Sequence, residues 1–196
     1  FARLAERLDR ETGVAALELN ISCPNVDHGG LEFGVDPDAA AKVTAAVRAV
    51  TDLPVWVKMS PEAGDLVGVG RACQEAGADA VTAINTIRGL AVDIHSWRPR
   101  IGNKTGGLSG PALKPIATRM VWELSRGLDI PVIGIGGVAT WQDAVELMLA
   151  GATAVQIGTA SFADPRAAKN ALDGLAAYCD ERGVAARELT GAMRVG

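Results

Sequence analysis

Short apolar runs alternate with longer stretches whose apolar residues recur every three or four positions. The short runs fall near residues 16–21, 54–59, 80–85, 131–135 and 154–158, and each breaks off into polar residues or glycine. Runs of this length bounded by turn residues read as buried strands. The longer stretches predict helices near 36–50, 64–76, 112–127 and 141–150, with a last one over about 165–181. The chain opens on Phe1, Leu4, Ala5 and Leu8, one face of an amphipathic helix that no strand precedes.

Two stretches repeat one another. Asp52-Leu53-Pro54-Val55-Trp56-Val57 leads through a helix to Ala76-Gly77-Ala78, and Asp129-Ile130-Pro131-Val132-Ile133-Gly134 leads through a helix to Ala150-Gly151-Ala152. An apolar strand starts after each Ala-Gly-Ala, and the glycine suits the left-handed residue that ends a helix. Repeated strand–helix–strand units with continuously apolar strands predict a parallel sheet covered by helices. The fold class is therefore α/β, of the TIM (β/α)8 barrel family, read here as a C-terminal portion with about five βα units. Residues 1–196 are read as a single domain, and the remaining three strands would precede Phe1. An open five-stranded α/β domain is the alternative.

Composition narrows the function classes. Of 196 residues, 48% are hydrophobic and 21% charged, enough for one core. The net charge of −4 and a sequence pI near 5.2 give no electrostatic footprint for nucleic acid or an acidic membrane. No apolar run approaches the roughly 20 residues of a bilayer span. Cys23, Cys73 and Cys179 form no C-x-x-C pair, which argues against a cysteine metal site or a disulfide framework. A reducing, cytoplasmic setting is the expectation.

Chemistry should gather where parallel strands end. The first strand ends in Asn20, Ser22, Cys23 and Asn25, with Pro24 holding the cysteine out of helical geometry. A thiol among carboxamides there is a candidate nucleophile or proton-transfer group. The second strand ends in Lys58, a cation that needs a partner or an anionic ligand. The third ends in Asn85 and Thr86. Asn20, Asn25 and Asn85 would offer donors and acceptors to a planar ligand such as a pyrimidine. The fourth and fifth end in Gly136-Gly137 and Gly158-Thr159, small residues that let backbone N–H groups approach a phosphate. About two dozen residues separate Asn85 from the helix near Pro111, a length usually reserved for functional loops. His28 and His95 have no triad or metal partner at readable spacing, and Trp122 and Trp141 are weak candidates for partner docking.

Together, Asn20-Ile21-Ser22-Cys23-Pro24-Asn25-Val26 with Gly29-Gly30, Val57-Lys58-Met59-Ser60-Pro61, Ile84-Asn85-Thr86, Gly106-Gly107-Leu108-Ser109-Gly110-Pro111, Gly136-Gly137-Val138 and Gly158-Thr159-Ala160 resemble dihydroorotate dehydrogenase in order and spacing. The cysteine resembles that of the soluble class, and the Thr105–Pro111 run that of the NAD-linked branch. The resemblance implies an FMN-dependent enzyme of pyrimidine biosynthesis in which Cys23 takes a proton from C5 of dihydroorotate while hydride leaves C6. It implies FMN contacts from Asn20, Lys58, Ile84, Gly110, Gly136, Gly137, Gly158 and Thr159. Substrate contacts would come from Asn20, Asn25, Asn85 and Thr86, with no metal. It further implies an iron–sulfur/FAD electron-transfer subunit, a homodimer within a heterotetramer, and an N-terminal third that this sequence does not contain. A dihydropyrimidine dehydrogenase-like flavoenzyme and a non-catalytic flavin-binding remnant are the alternatives.

Overall fold

The computed structural model describes residues 1–22 and 33–194. In chain order the main elements are α1 (Ala2–Asp9), β1 (Leu17–Asn20), α2 (Pro37–Arg48), β2 (Val55–Lys58), α3 (Leu66–Glu75) and β3 (Ala80–Ala83). Four very short strands follow: β4 (Ile87–Gly89), β5 (Val92–Asp93), β6 (Arg98–Pro99) and β7 (Gly106–Leu108). Then come α4 (Lys114–Gly127), β8 (Val132–Ile135), α5 (Trp141–Ala150), β9 (Ala154–Gln156), α6 (Ala160–Ala163) and α7 (Ala167–Arg182). The five predicted strands and the helices between them are all present, most of them a few residues shorter where capping and turn residues take over, and the helix over 141–150 at its predicted length.

β1, β2, β3, β8 and β9 form one parallel sheet in that order. Every strand lies beside its predecessor, so the order never reverses as it does in a doubly wound sheet. Right-handed crossovers that always step the same way put every helix on one face. That face carries Leu17, Leu19, Val55, Val57, Val81 and Val132, buried against Val47, Val69, Val121, Leu124 and Leu147 from the helices. Each such side chain contributes about 1.5–3 kcal/mol of transfer free energy.

The other face holds Glu18, Asn20, Lys58, Thr82 and Gln156, alternating with the core residues. Here the side chain of Gln156, on edge strand β9, donates to Glu18 Oε2 on the opposite edge strand β1 at 2.8 Å. In a flat sheet these strands would stand about 19 Å apart, four spacings of roughly 4.8 Å. The bond therefore requires the sheet to curl into an arc, as in a (β/α)8 barrel and unlike an open sheet.

The Ala-Gly-Ala repeat has one structural meaning in both copies. Gly77 (φ +96°) and Gly151 (φ +130°) occupy positive φ. The next residue closes the helix, with Ala78 N–H donating to Cys73 O and Ala152 N–H to Leu147 O, both at 3.0 Å. One residue later the new strand begins, as Asp79 N–H donates to Val55 O and Thr153 N–H to Val132 O, both at 2.8 Å.

The long connection after β3 is not one loop. β4 pairs antiparallel with β7 at its base, and β5 with β6 near its tip. Asp93 Oδ1 closes the tip by accepting from the N–H groups of His95 and Ser96 at 2.9 and 2.7 Å. Strands of two or three residues that pair Gly89 with Gly106 carry no readable hydrophobic period. Trp122 and Trp141 serve helix contacts: Trp122 packs against the core under the Arg126 guanidinium, and Trp141 lies against Tyr178 and the bare backbone of Gly174.

One ion cluster joins α4 to α5 beside β8. Lys114 Nζ lies 2.8 Å from Asp143 Oδ1 and 2.7 Å from Glu146 Oε2. Asp143 Oδ2 also accepts from Ala139 N–H at 3.0 Å and Thr140 N–H at 2.8 Å, completing a capping box at the start of α5. Burial pushes the Asp143 carboxyl up, but Lys114 and the Ala139 and Thr140 donors prevail and bring it from 3.8 to about 2. A depressed carboxyl stabilises the fold above its unfolded pKa, so this contribution is present above about pH 3.8 and fades as pH falls toward 2. Asp143→Asn should cost about 1–2 kcal/mol at neutral pH and flatten the acid limb of stability in that window. Chemical denaturation at a series of pH values checks this; an unchanged acid limb would remove Asp143 as its source.

Candidate active site

A cavity of about 410 Å³ opens at the C-terminal ends of the strands. Lys58 from β2, Ile84, Asn85 and Thr86 after β3, Gly110 before α4, Gly136 and Gly137 after β8, and Gly158 and Thr159 after β9 all line it. The volume falls within the roughly 300–1,000 Å³ of small-molecule sites. Lys58 and Asp164 are the charged side chains on the described wall, with Asp164 engaged by Asn170 Nδ2 at 2.9 Å.

Asn20 lies at the margin and reaches the cavity wall through Asn85. The Asn85 amide nitrogen donates to Asn20 Oδ1 at 3.0 Å and to Ser22 Oγ at 2.7 Å, while its oxygen accepts from Thr86 N–H at 2.8 Å. The carboxamide is thus pinned at both ends, and the ends of β1 and β3 are brought together. Cys23 and Asn25, the remaining site residues read from the sequence, lie outside the described residues, as does His28. His95 sits on the exposed tip of the excursion, away from the cavity. Cys73 is buried in the core, where desolvation lifts its thiol to about 11 despite a hydrogen bond from Thr44, so it stays protonated and inert.

The glycine loops have the character of an anion cradle. A Cβ on Gly137 would stand 2.7 Å from the Lys114 backbone nitrogen, and Gly137 adopts φ +78°. A side chain there is excluded twice over, by space and by backbone. Next to Gly158, by contrast, nothing lies within 4 Å, so that position opens into free space. The backbone N–H groups of Gly136, Gly137, Gly158 and Thr159 donate to no acceptor among the described residues. Gly136 and Gly137 are half-buried and Gly158 and Thr159 exposed, so these donors are open to the cavity, and four of them around it suit an anionic group such as a phosphate. The α5 N-terminus is satisfied by its own Thr140–Asp143 box, so the loops, not that helix end, carry this capacity.

Four polar residues were assigned no role in the sequence reading. Ser109 accepts from the Thr159 hydroxyl at 2.7 Å, tying the end of the excursion to the glycine loop after β9. Glu18, Thr82 and Gln156 lie beneath Lys58. Glu18 Oε1 stands 3.2 Å from Lys58 Nζ, and Glu18 Oε2 accepts from Thr82 Oγ1 at 2.9 Å and Gln156 Nε2 at 2.8 Å. Burial pushes the Glu18 carboxyl up, but Gln156, Thr82 and the Lys58 charge outweigh it and hold it below the ordinary value. The signal available was a carboxylate at an inward position of an otherwise apolar strand, one residue pair from Asn20.

The dihydroorotate dehydrogenase family profile matches residues 1–178. The chain belongs to the dihydroorotate dehydrogenase family. Curated relatives named dihydroorotate dehydrogenase B (NAD(+)), catalytic subunit, are 53% identical over 98% of the chain in Geotalea uraniireducens and 55% over 94% in Trichlorobacter lovleyi. The relative of that name in Geobacter sulfurreducens is 55% identical over the chain's whole length. The chain spans 61 to 64% of the length of these relatives. Among solved structures, DHODH from Eimeria tenella in complex with ferulenol superposes with a TM-score of 0.79, covering 97% of this chain and 56% of its own, at 23% identity. At that identity the likeness speaks for the fold, and it agrees with the barrel arc described above. Among the described residues, no helix is long and apolar enough to cross a membrane.

The two glycine positions separate fold from site. Gly137→Ala should lower stability by about 1–3 kcal/mol through clash and strain, whereas Gly158→Ala should leave the melting temperature within a degree or two of the parent. Thermal melts of both variants check this; equal losses would mean that the loop after β8 is not as tightly built as its contacts indicate.

Proposed function

We propose that this chain forms most of the catalytic subunit of an NAD-linked dihydroorotate dehydrogenase, which oxidises dihydroorotate to orotate in the cytoplasm with FMN as the bound cofactor. The observation that carries this reading is the cavity at the strand ends. It gathers one cation, the Asn85 carboxamide that Asn20 anchors and two glycine loops with free N–H groups, on a chain of the dihydroorotate dehydrogenase family. The relatives' name, catalytic subunit, supports a partner subunit, which we take to be an iron–sulfur/FAD protein carrying electrons to NAD within a heterotetramer built on a homodimer.

The residues divide the work. The N–H groups of Gly136, Gly137, Gly158 and Thr159 would hold the FMN phosphate, with Gly110 also contacting the cofactor. Lys58, Ile84 and Asn20 would contact the ring, where the Lys58 ammonium would offset negative charge. Bound FMN would supply the hydride acceptor for the hydrogen at C6 of the substrate. The proton that must leave C5 goes to Cys23 as general base, a role that needs a thiolate or a concerted transfer in a polar, partly closed pocket. Asn20, Asn25, Asn85 and Thr86 orient the substrate ring. The pinned Asn85 amide suits that task because its orientation is fixed before anything binds.

Anaerobic titration of the purified protein with dihydroorotate tests the proposal. Bleaching of a flavin absorbance band is the expected outcome. A yellow protein bleached by dihydrouracil alone would point to a dihydropyrimidine dehydrogenase-like enzyme, and a colourless protein that FMN cannot reconstitute would point to a remnant. Cys23→Ser should retain FMN yet slow its reduction by orders of magnitude, since a hydroxyl is a far poorer base than a thiol at neutral pH. Stopped-flow reduction at the parent rate would take Cys23 out of the mechanism.

A further inference from the structure

We infer that Glu18 is a positioning residue which, clasped by Thr82 and Gln156, fixes the Lys58 ammonium at the cavity wall and sets how much of its charge a bound cofactor feels. This rests on the FMN-binding reading above and goes beyond it, since Glu18 does not itself line the cavity.

The geometry assigns the two carboxylate oxygens different tasks. Oε2 accepts from Thr82 Oγ1 at 2.9 Å and from Gln156 Nε2 at 2.8 Å, so β3 and β9 together fix the plane of the group. Oε1 is then left facing Lys58 Nζ at 3.2 Å. The donors come from three strands other than Glu18's own, and both partners of the ion pair are largely screened from solvent, with side-chain exposures of 17% for Lys58 and 25% for Glu18. A pair so placed is less weakened by water and salt than a surface one.

The chemical consequence follows from charge. A bare ammonium beside a ring that gains negative charge on reduction stabilises the reduced form strongly, whereas one compensated by a carboxylate does so less. Glu18 thus trades some of that stabilisation for a fixed position of Lys58 and for an oxidised form that is not disfavoured. A role in holding the strands together alone would affect stability without touching this balance.

The test is the two-electron midpoint potential of the FMN-loaded protein at its full natural length. Glu18→Gln keeps the shape and removes the charge. We expect a rise of about 30 mV, the equivalent of a tenfold change in relative affinity for reduced over oxidised FMN. Lys58→Met should lower the potential, and Glu18→Gln added to Lys58→Met should produce a smaller shift than in the parent, because only the carboxylate's own field remains once the ammonium it positions is gone. Glu18→Asp keeps the charge but shortens the reach, and should shift the potential upward by less; it decides the matter if the Gln variant does not fold. An unmoved potential in a folded, FMN-loaded Glu18 variant overturns the inference and leaves the functional reading standing, as does an equal shift in the Lys58→Met background. A parent protein that takes up no FMN overturns both.

Discussion

A parallel sheet wound always in one direction leaves one face that its own helices cannot reach. Helices α2 to α5 bury the outer face, with Val55, Val57, Val81 and Val132 against Val69, Val121, Leu124 and Leu147. The inner face must curl upon itself or stay wet. Here it curls until Gln156 on one edge strand bonds Glu18 on the other, across 138 residues of sequence. The strand ends then converge, and a cavity forms where they meet. Were the sheet flat, Lys58 and Gly158 would sit on separate parts of an open surface, and no combination of loop sequences would put them around one ligand.

The same curl explains why polar residues are tolerated inside. A lone carboxylate or ammonium withdrawn from water is costly, and the inner face solves this by pairing every such group. Glu18 has three donors, Lys58 has Glu18, and Asn85 has Asn20, Ser22 and the Thr86 N–H. No buried side-chain polar atom lacks a partner among the described residues. On the cavity wall, the groups without an acceptor among the described residues are backbone N–H groups in the glycine loops after β8 and β9. That division makes physical sense for a site: side chains are locked in advance, and the free hydrogen-bonding capacity is held by rigid main chain that needs no rearrangement to accept an anion.

Much of this was legible in the sequence, for identifiable reasons. Parallel strands buried by helices on their outer face read as apolar runs, and the repeated Ala-Gly-Ala marks helix ends because Gly77 and Gly151 need positive φ. The paired glycines at 136–137 and 158 could be placed in one site because strand ends of a parallel sheet share an edge. The ribbons between Ile87 and Leu108 were not legible, since strands of two and three residues rich in glycine leave no period to read. Glu18 was missed for a different reason. Its partners Lys58, Thr82 and Gln156 lie 40, 64 and 138 residues away; strand pairing brings Lys58 beside it, and the curl of the sheet brings Gln156 from the opposite edge. A sequence shows which residues end strands more readily than it shows which residues face each other across a lumen.

That difference bears on how the cation at the site should be understood. Read along the chain, Lys58 is a charge in need of a partner or an anionic ligand, and an awaited anion is enough to explain it. In the folded chain it already has a carboxylate partner, so its presence in the wall does not depend on a ligand. A cation held that way is preorganised: binding need not pay to order a flexible ammonium, and the charge meets the ligand at a fixed distance. The cost is a weaker pull on negative charge than a bare ammonium would exert. For a cofactor that must give up its electrons as readily as it takes them, a moderated charge is the better match, because a site that held the reduced form too tightly would stall its own reoxidation.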